Sequence, residues 1–143
     1  MSSIYSLALN TTVTTTGAAA MDLKSGASIV PSIKEIGINL LTATASTYGL
    51  GRSGNVPTQT TPVLLQAEDP SAVACASGCA VAWSVAPIVP TTFFRRVSLP
   101  ATAGAGVIWT FPRGLKLAVA TSMLLWNLAT NSNSTNVWWV AEE

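Results

Sequence analysis

Hydrophobic and polar positions alternate along this chain in short runs, and turn-forming residues interrupt them about every eight to twelve positions, the spacing of an all-β sandwich or barrel. The runs are rich in Val, Ile, Thr and aromatic residues, which suit a pleated, half-buried surface. The pattern predicts strands over residues 4–15, 32–46, 63–67, 80–85, 93–99, 107–111, 115–128 and 136–142. Within 32–46, Ile33, Ile36, Leu40 and Leu41 would also fit one stripe of a helix. The run Ile36-Gly37-Ile38-Asn39-Leu40 instead alternates with period two, and its central glycine and the Thr-Ala-Thr-Ala-Ser that follows favour a strand. Gly17-Ala18-Ala19-Ala20 reads as a loosening of the chain. Pro57, Pro62, Pro70, Pro87, Pro90, Pro100 and Pro112 fall between the predicted strands, where they break no ladder. The last two predicted strands enclose an Asn/Ser/Thr run and read as a hairpin. About eight strands in a chain of 143 residues fit a two-sheet antiparallel sandwich of jelly-roll type with little or no helix. The expected organisation is a single domain, 1–143, with 1–16 as a candidate extended N-terminal arm able to add a strand to a neighbour.

Composition changes what that surface is expected to do. Only 9% of the residues are charged, against about 25% in an ordinary globular chain, while 49% are hydrophobic and the formal net charge is +1. Thr, Ser and Asn supply some solubility, but large uncharged apolar patches usually mark interaction sites, which favours a surface covered by neighbouring subunits. Seven Lys and Arg against six Asp and Glu leave no basic footprint for nucleic acid. The uncharged stretch 71–94 is long enough to cross a bilayer, but Pro87, Pro90 and Ser77-Gly78 interrupt it. A second stretch, 117–141, is broken by Asn127 and the polar run 130–136. Neither predicts a membrane span. The N-terminus shows no basic segment followed by an apolar one, so synthesis in the cytoplasm is expected.

Candidate chemistry is sparse. With no histidine, a serine nucleophile would have to rely on Lys24, Lys34 or Lys116 as base, and none of these sits in a Ser-Lys motif. The carboxylates are Asp22, Glu35, Glu68, Asp69, Glu142 and Glu143, and nothing in their spacing pairs two across a cleft. Gly49-Leu50-Gly51-Arg52-Ser53-Gly54 matches the dinucleotide fingerprint formally. Asn55-Val56-Pro57 follows in place of a helix, so a glycine-rich corner with one exposed arginine is the better reading. Cys75 and Cys79 lack the further ligands of a metal site. A disulfide across their Ser-Gly turn is geometrically open, and free thiols suit a reducing compartment. No catalytic, cofactor or metal site is predicted. The candidate interface residues are Arg52, Arg95, Arg96, Trp138 and Trp139. In Phe93-Phe94-Arg95-Arg96 and in Trp138-Trp139, neighbours on a strand point to opposite faces. One indole should therefore face the core and the other away, and one arginine of its pair should turn inward or both should guard an edge.

The C-terminal half carries a recognisable pattern. It comprises Phe94-Arg95-Arg96-Val97-Ser98-Leu99-Pro100, a Gly/Ala-rich link, Val107-Ile108-Trp109-Thr110-Phe111-Pro112-Arg113-Gly114-Leu115, and Met123-Leu124-Leu125-Trp126-Asn127-Leu128. A Val- and Trp-containing final segment ending in acidic residues completes it. Over 33–143, with Glu35-Ile36-Gly37-Ile38 and Tyr48-Gly49-Leu50-Gly51-Arg52 compatible upstream, the chain resembles small virion proteins of tailed bacteriophages and is similar to jelly-roll capsid cement, or decoration, proteins. The resemblance implies a non-enzymatic structural role, made in the bacterial host cytoplasm and located in the virion. The implied partners are the major capsid protein or other virion proteins and further copies of the chain as a dimer or trimer, with no nucleic acid, membrane or cofactor. The alternatives are another virion subunit (tail, collar or head fibre) and a carbohydrate-binding β-sandwich.

Overall fold

The computed structural model describes residues 2–130 and 132–143; Met1 and Asn131 lie outside them. Eight strands have five residues or more: β1 Ile4–Val13, β2 Ala19–Lys24, β3 Ser32–Leu40, β4 Ser46–Arg52, β10 Arg95–Leu99, β11 Gly106–Lys116, β12 Ser122–Asn127 and β13 Asn133–Glu142. Five short ones lie between the fourth and fifth of these: β5 Thr58–Gln59, β6 Val63–Leu64, β7 Gln66–Ala67, β8 Gly78–Ala80 and β9 Trp83–Val85. The long strands pair antiparallel as a nested hairpin, β1 with β13, β2 with β12, β3 with β11 and β4 with β10. Pairing of β3 with β13 and of β4 with β12 then rolls that hairpin into two sheets. Their orders are β11-β3-β13-β1-β7 and β10-β4-β12-β2-β8-β6. This is the topology of a jelly roll, as the spacing of turns predicts.

Side chains from both inner faces meet in one core. Ile33, Ile36, Ile38, Val137 and Trp139 of the five-stranded sheet face Met21, Leu23, Tyr48, Leu50, Met123 and Leu125 of the six-stranded sheet, and all are fully buried. The period of two in Ile36-Gly37-Ile38-Asn39-Leu40 is therefore the alternation of a strand with one face in the core.

The central strands of the six-stranded sheet are buried on their other face as well, beneath a strap formed by residues 53–94 at the tip of the rolled hairpin. Within this strap β6 and β8 extend the sheet and β7 extends the other one, while the β5/β9 pair and the stretch to Phe93 cross the outer face. Every residue of β12 is buried, with Met123 and Leu125 in the central core and Trp126 on the far face. Gly49 and Gly51 face the same way, and the strap crosses them closely. A Cβ at Gly49 would lie 2.7 Å from Phe93 and 2.9 Å from Leu128. These glycines therefore belong inside strand β4 and not to a corner, which corrects the expectation for the Gly49–Gly54 run.

Other expectations are corrected too. The chain from β12 to β13 crosses from one sheet to the other, so the two do not form a hairpin. The segment 1–16 is not a free arm, since Ile4–Val13 pairs along its whole length with β13. Pro112 lies within β11, at a slip in register between Thr110 and Leu115 on the outermost strand of its sheet, where a missing N–H breaks no ladder. Among the described residues there is no helix.

Candidate interaction site

The burial of most polar chemistry is the first property of the surface. Asp22 lies on β2 beneath the strap and is fully buried. Its Oδ1 accepts from Gln59 Nε2 at 2.7 Å and from the Ala80 N–H at 2.9 Å, and its Oδ2 accepts from Trp83 Nε1 at 3.2 Å and Ser122 Oγ at 3.1 Å. Burial raises its pKa, and the four hydrogen bonds oppose that rise without overcoming it. With donors on all sides and no access, this carboxylate ties strap to sheet and offers no proton to a substrate. Cys75 and Cys79 are both buried and free. Burial pushes the Cys75 thiol up to about 12 and Cys79 well above the usual thiol range, so neither presents a thiolate at neutral pH. Among the described residues, no group of His, Cys, Asp and Glu side chains is placed to hold a metal. A cleft of about 280 Å³ runs beside Arg52, between Ser53–Pro57 and Thr121–Ser122, and Arg52 is its one ionisable wall.

Two surface features remain. The first is a cationic edge. β10 and β11 end their respective sheets on the same side of the sandwich. Register with Leu50, an inward residue, turns Arg95 toward the gap between the sheets, where its guanidinium stacks 5.2 Å from the centroid of Phe111 on β11. Arg96, beside Gly49, points the other way and stacks 5.5 Å from Phe93. Arg52 stacks 5.0 Å from Phe94. All three phenylalanines of the chain thus carry an arginine. Two of these arginines are also tethered, Arg95 Nη1 to the Phe94 carbonyl at 2.8 Å and Arg52 Nη2 to the Lys116 carbonyl at 3.1 Å. A concavity of about 390 Å³ lies between Arg95 and the bulged Phe111-Pro112-Arg113-Gly114 segment.

The second feature is the outer face of the five-stranded sheet. Trp138 lies flat on Gly37 of β3, in space that only a glycine leaves free, and its Nε1 donates to Glu35 Oε1 at 3.0 Å. The exposed Ile108 pairs with the same glycine from the other side. A shallow concavity of about 530 Å³ extends from Trp138 and Val140 across Ser6 and Ala8 to Gln66 and Glu68. Trp139 lies on the inner face and is fully buried, so of the adjacent indoles only Trp138 reaches the surface.

The structure therefore brings Arg52, Arg95 and Arg96 together on one edge, both arginines of the 95–96 pair exposed, and places Trp138 apart from them on a sheet face. The interface candidates read from the sequence did not include Phe111 or Arg113. Their place beside Arg95 depends on β10 and β11 closing the same side of two different sheets, which local spacing does not encode.

No family model and no curated protein matches the chain. Among solved structures, it is similar to two crystal structures of the BFDV capsid protein, one a 60-mer and one decameric. Each shows 6% sequence identity and a TM-score of 0.27, covering 99% of this chain and 92% and 97% of the two capsid chains. A superposition at that score establishes neither a common fold nor a common function, and the jelly-roll topology stands on the strand pairing alone.

Proposed function

We propose that this chain is a non-enzymatic structural subunit of a virion, and within that class a cement or decoration protein that bridges capsomers of a tailed-phage head. The observation that carries the reading is the apolar exterior of the strap. Val56, Val63, Leu64, Val73, Val81 and Ile88 all stand exposed on a segment already folded against the molecule, so they contribute little to its core. Exposed apolar surface on a weakly charged body favours association. The resemblance of 33–143 to small phage virion proteins supports the same reading, its segments falling on β10, β11, β12 and β13. In this role the chain performs no reaction. Many copies, each burying modest apolar area against the major capsid protein, strengthen the shell collectively because attachment is multivalent. The test is proteomic and mechanical: the chain should be present in many copies in purified particles, and heads lacking it should release their contents at lower temperature. Its absence from purified particles would end the reading.

The Trp138 face favours one second reading, a carbohydrate-binding sandwich. An indole with one face free, beside Ser6, Gln66 and Glu68, is a surface on which a sugar ring can stack. Titration with a broad glycan panel would then shift tryptophan fluorescence, and a flat response removes this alternative.

A further inference from the structure

The few charges of this chain are segregated, and their positions specify a contact between copies. Among the described residues the one ion pair joins Lys34 to Glu142 at 2.7 Å. Arg52, Arg95, Arg96 and Arg113 gather on and beside the β10/β11 edge with no ion-pair partner among those residues, and Lys116 beside them lies near enough to Glu142 to help lower its pKa. Lys24 lies apart, on β2 beside β8, where it donates to the Pro57 carbonyl. Most acids are engaged in internal contacts: Asp22 is buried, Glu35, opposite Thr110 of β11, holds Trp138, and Glu143 accepts the N–H groups of Ala76 and Ser77. Glu68 and Asp69 are the exception. Both are exposed at the end of β7, and Asp69 uses only Oδ1, to cap Ser71.

Glu68 and Asp69 sit on the opposite side of the sandwich from the arginines. There the chain steps from β6, the last strand of one sheet, through the buried Leu65 to β7, the last strand of the other. Four strand spacings separate β11 from β7, about 19 Å. That is more than twice the screening length of about 8 Å at physiological salt, so the two patches do not neutralise each other within one molecule. Each has an apolar neighbour as well, Phe94 on the basic side and Val63 and Leu64 on the acidic side, all exposed.

Arginines that merely guard a strand edge need only be charged and mobile. Here three are stacked on aromatic rings and two are tethered to carbonyls, which lowers the entropy lost when their remaining N–H groups engage a planar acceptor.

The geometry points to head-to-tail self-association, in which the Arg95/Arg96/Arg113 edge of one copy receives Glu68 and Asp69 of the next. A two-fold dimer joined edge to edge cannot satisfy it, because a two-fold axis sets each edge against its own copy and so brings like charges together. A head-to-tail contact is heterologous, so the assembly is a ring of three or more copies where the rotation between neighbours closes and an open filament where it does not. This deepens the reading of the chain as an assembling structural protein and rests on it, yet it is tested in solution and not in particles.

The experiment is analytical ultracentrifugation of the full chain and two charge reversals, Arg95→Glu/Arg96→Glu and Glu68→Lys/Asp69→Lys. All four positions are exposed, so the fold should persist, which the far-ultraviolet spectrum and unfolding midpoint check. Should a reversal disturb the fold, the neutral pair Arg95→Gln/Arg96→Gln replaces it. The wild-type chain should sediment as a trimer or larger and shift toward monomer in high salt. Each reversal alone should sediment as the 14.8 kDa monomer. An equimolar mixture of the two should associate again, since each reversed edge now finds a complement. A wild-type monomer, a strict dimer, reversals that assemble like wild type, or a mixture that stays monomeric would each overturn the proposal. A chain that is monomeric in solution but abundant in particles would sink this contact and leave the virion reading standing.

Discussion

The exchange Asp22→Asn tests whether the strap is fastened by one buried carboxylate. It keeps the shape of the side chain but turns one oxygen into an NH2 group. In wild type both oxygens accept two hydrogen bonds each, from Gln59 and Ala80 on one side and Trp83 and Ser122 on the other. The less costly orientation turns the NH2 toward Trp83 and Ser122, where the Ser122 hydroxyl can rotate to accept and only the Trp83 N–H faces a donor. A buried donor left without an acceptor costs about 1–3 kcal/mol. Relief from burying a charge offsets part of that, which leaves about 1–2 kcal/mol of lost stability at neutral pH. The loss should appear in urea unfolding followed by tryptophan fluorescence, and in hydrogen exchange of residues 53–94 before that of the central strands. The pH dependence has a definite sign. Burial raises the native pKa of Asp22 above 3.8, so between 3.8 and the raised value the native state binds more protons than the unfolded state. Stability from this group is fully present below 3.8 and falls as pH rises through that window. The amide variant does not titrate at this position, so the difference between the two stability curves isolates the group, and the deficit of the variant should shrink as pH rises. A loss below about 1 kcal/mol would show that the four hydrogen bonds do not hold the strap. A deficit that grows with pH would show that the hydrogen bonds outweigh burial and that the assigned sign is wrong.

Gly37→Ala should expel the Trp138 ring from the sheet face, because the added Cβ occupies the space of the ring; a loss of near-ultraviolet signal and a red-shifted emission report it, and unchanged spectra refute it. Gly49→Val should destabilise the chain by about 1–3 kcal/mol through overpacking against Phe93 and Leu128, and protease should then cut the strap first; an unchanged cleavage pattern counts against the close crossing. Both thiols should resist an aromatic disulfide reagent at pH 8 in the native state and react together on unfolding, since Cys75 is raised to about 12 and Cys79 is fully buried; fast labelling of either refutes their placement.

The sandwich was legible because most long strands bury one face, and one buried face writes a period of two into the sequence. Where both faces are buried, that signal is lost. β2 reads Ala-Ala-Met-Asp-Leu-Lys, with Ala and Asp disfavoured in isolated strands, yet core and strap cover its two sides. β4 was hidden for a related reason, since its glycines answer to a strap whose contacts lie about forty residues along the chain. The hairpin expected at the C-terminus failed because adjacency in sequence sets turns within a sheet, whereas a jelly roll sends most of its connections across the gap. The alternation rule did separate Trp138 from Trp139, and it placed Arg95 and Arg96 on opposite faces of β10. It was silent on which phenylalanine each arginine would meet.

Low charge acquires a more specific meaning once the positions are known. A chain with so few ionisable groups has little charge to scatter over its surface for solubility, and here one acid is buried and three others are engaged in internal hydrogen bonds or an ion pair. Apart from Lys24, which donates to the Pro57 carbonyl, what is left is a basic edge, an acidic edge and largely apolar surface between them. Such a body has weak net repulsion between copies but strong orientation dependence, because apposing two like edges brings like charges together and head-to-tail alignment brings opposite ones. Apolar area on the strap and the Trp138 face supplies attraction without direction, and the segregated edges supply direction with modest energy. Removing the edge charges should therefore change the geometry of assembly more than its strength at high protein concentration, where apolar contact persists. Electron microscopy of the Arg95→Gln/Arg96→Gln chain, concentrated until it associates, should then show irregular clusters in place of the regular rings or filaments of wild type, and regular assemblies of unchanged geometry would place the directing contact elsewhere.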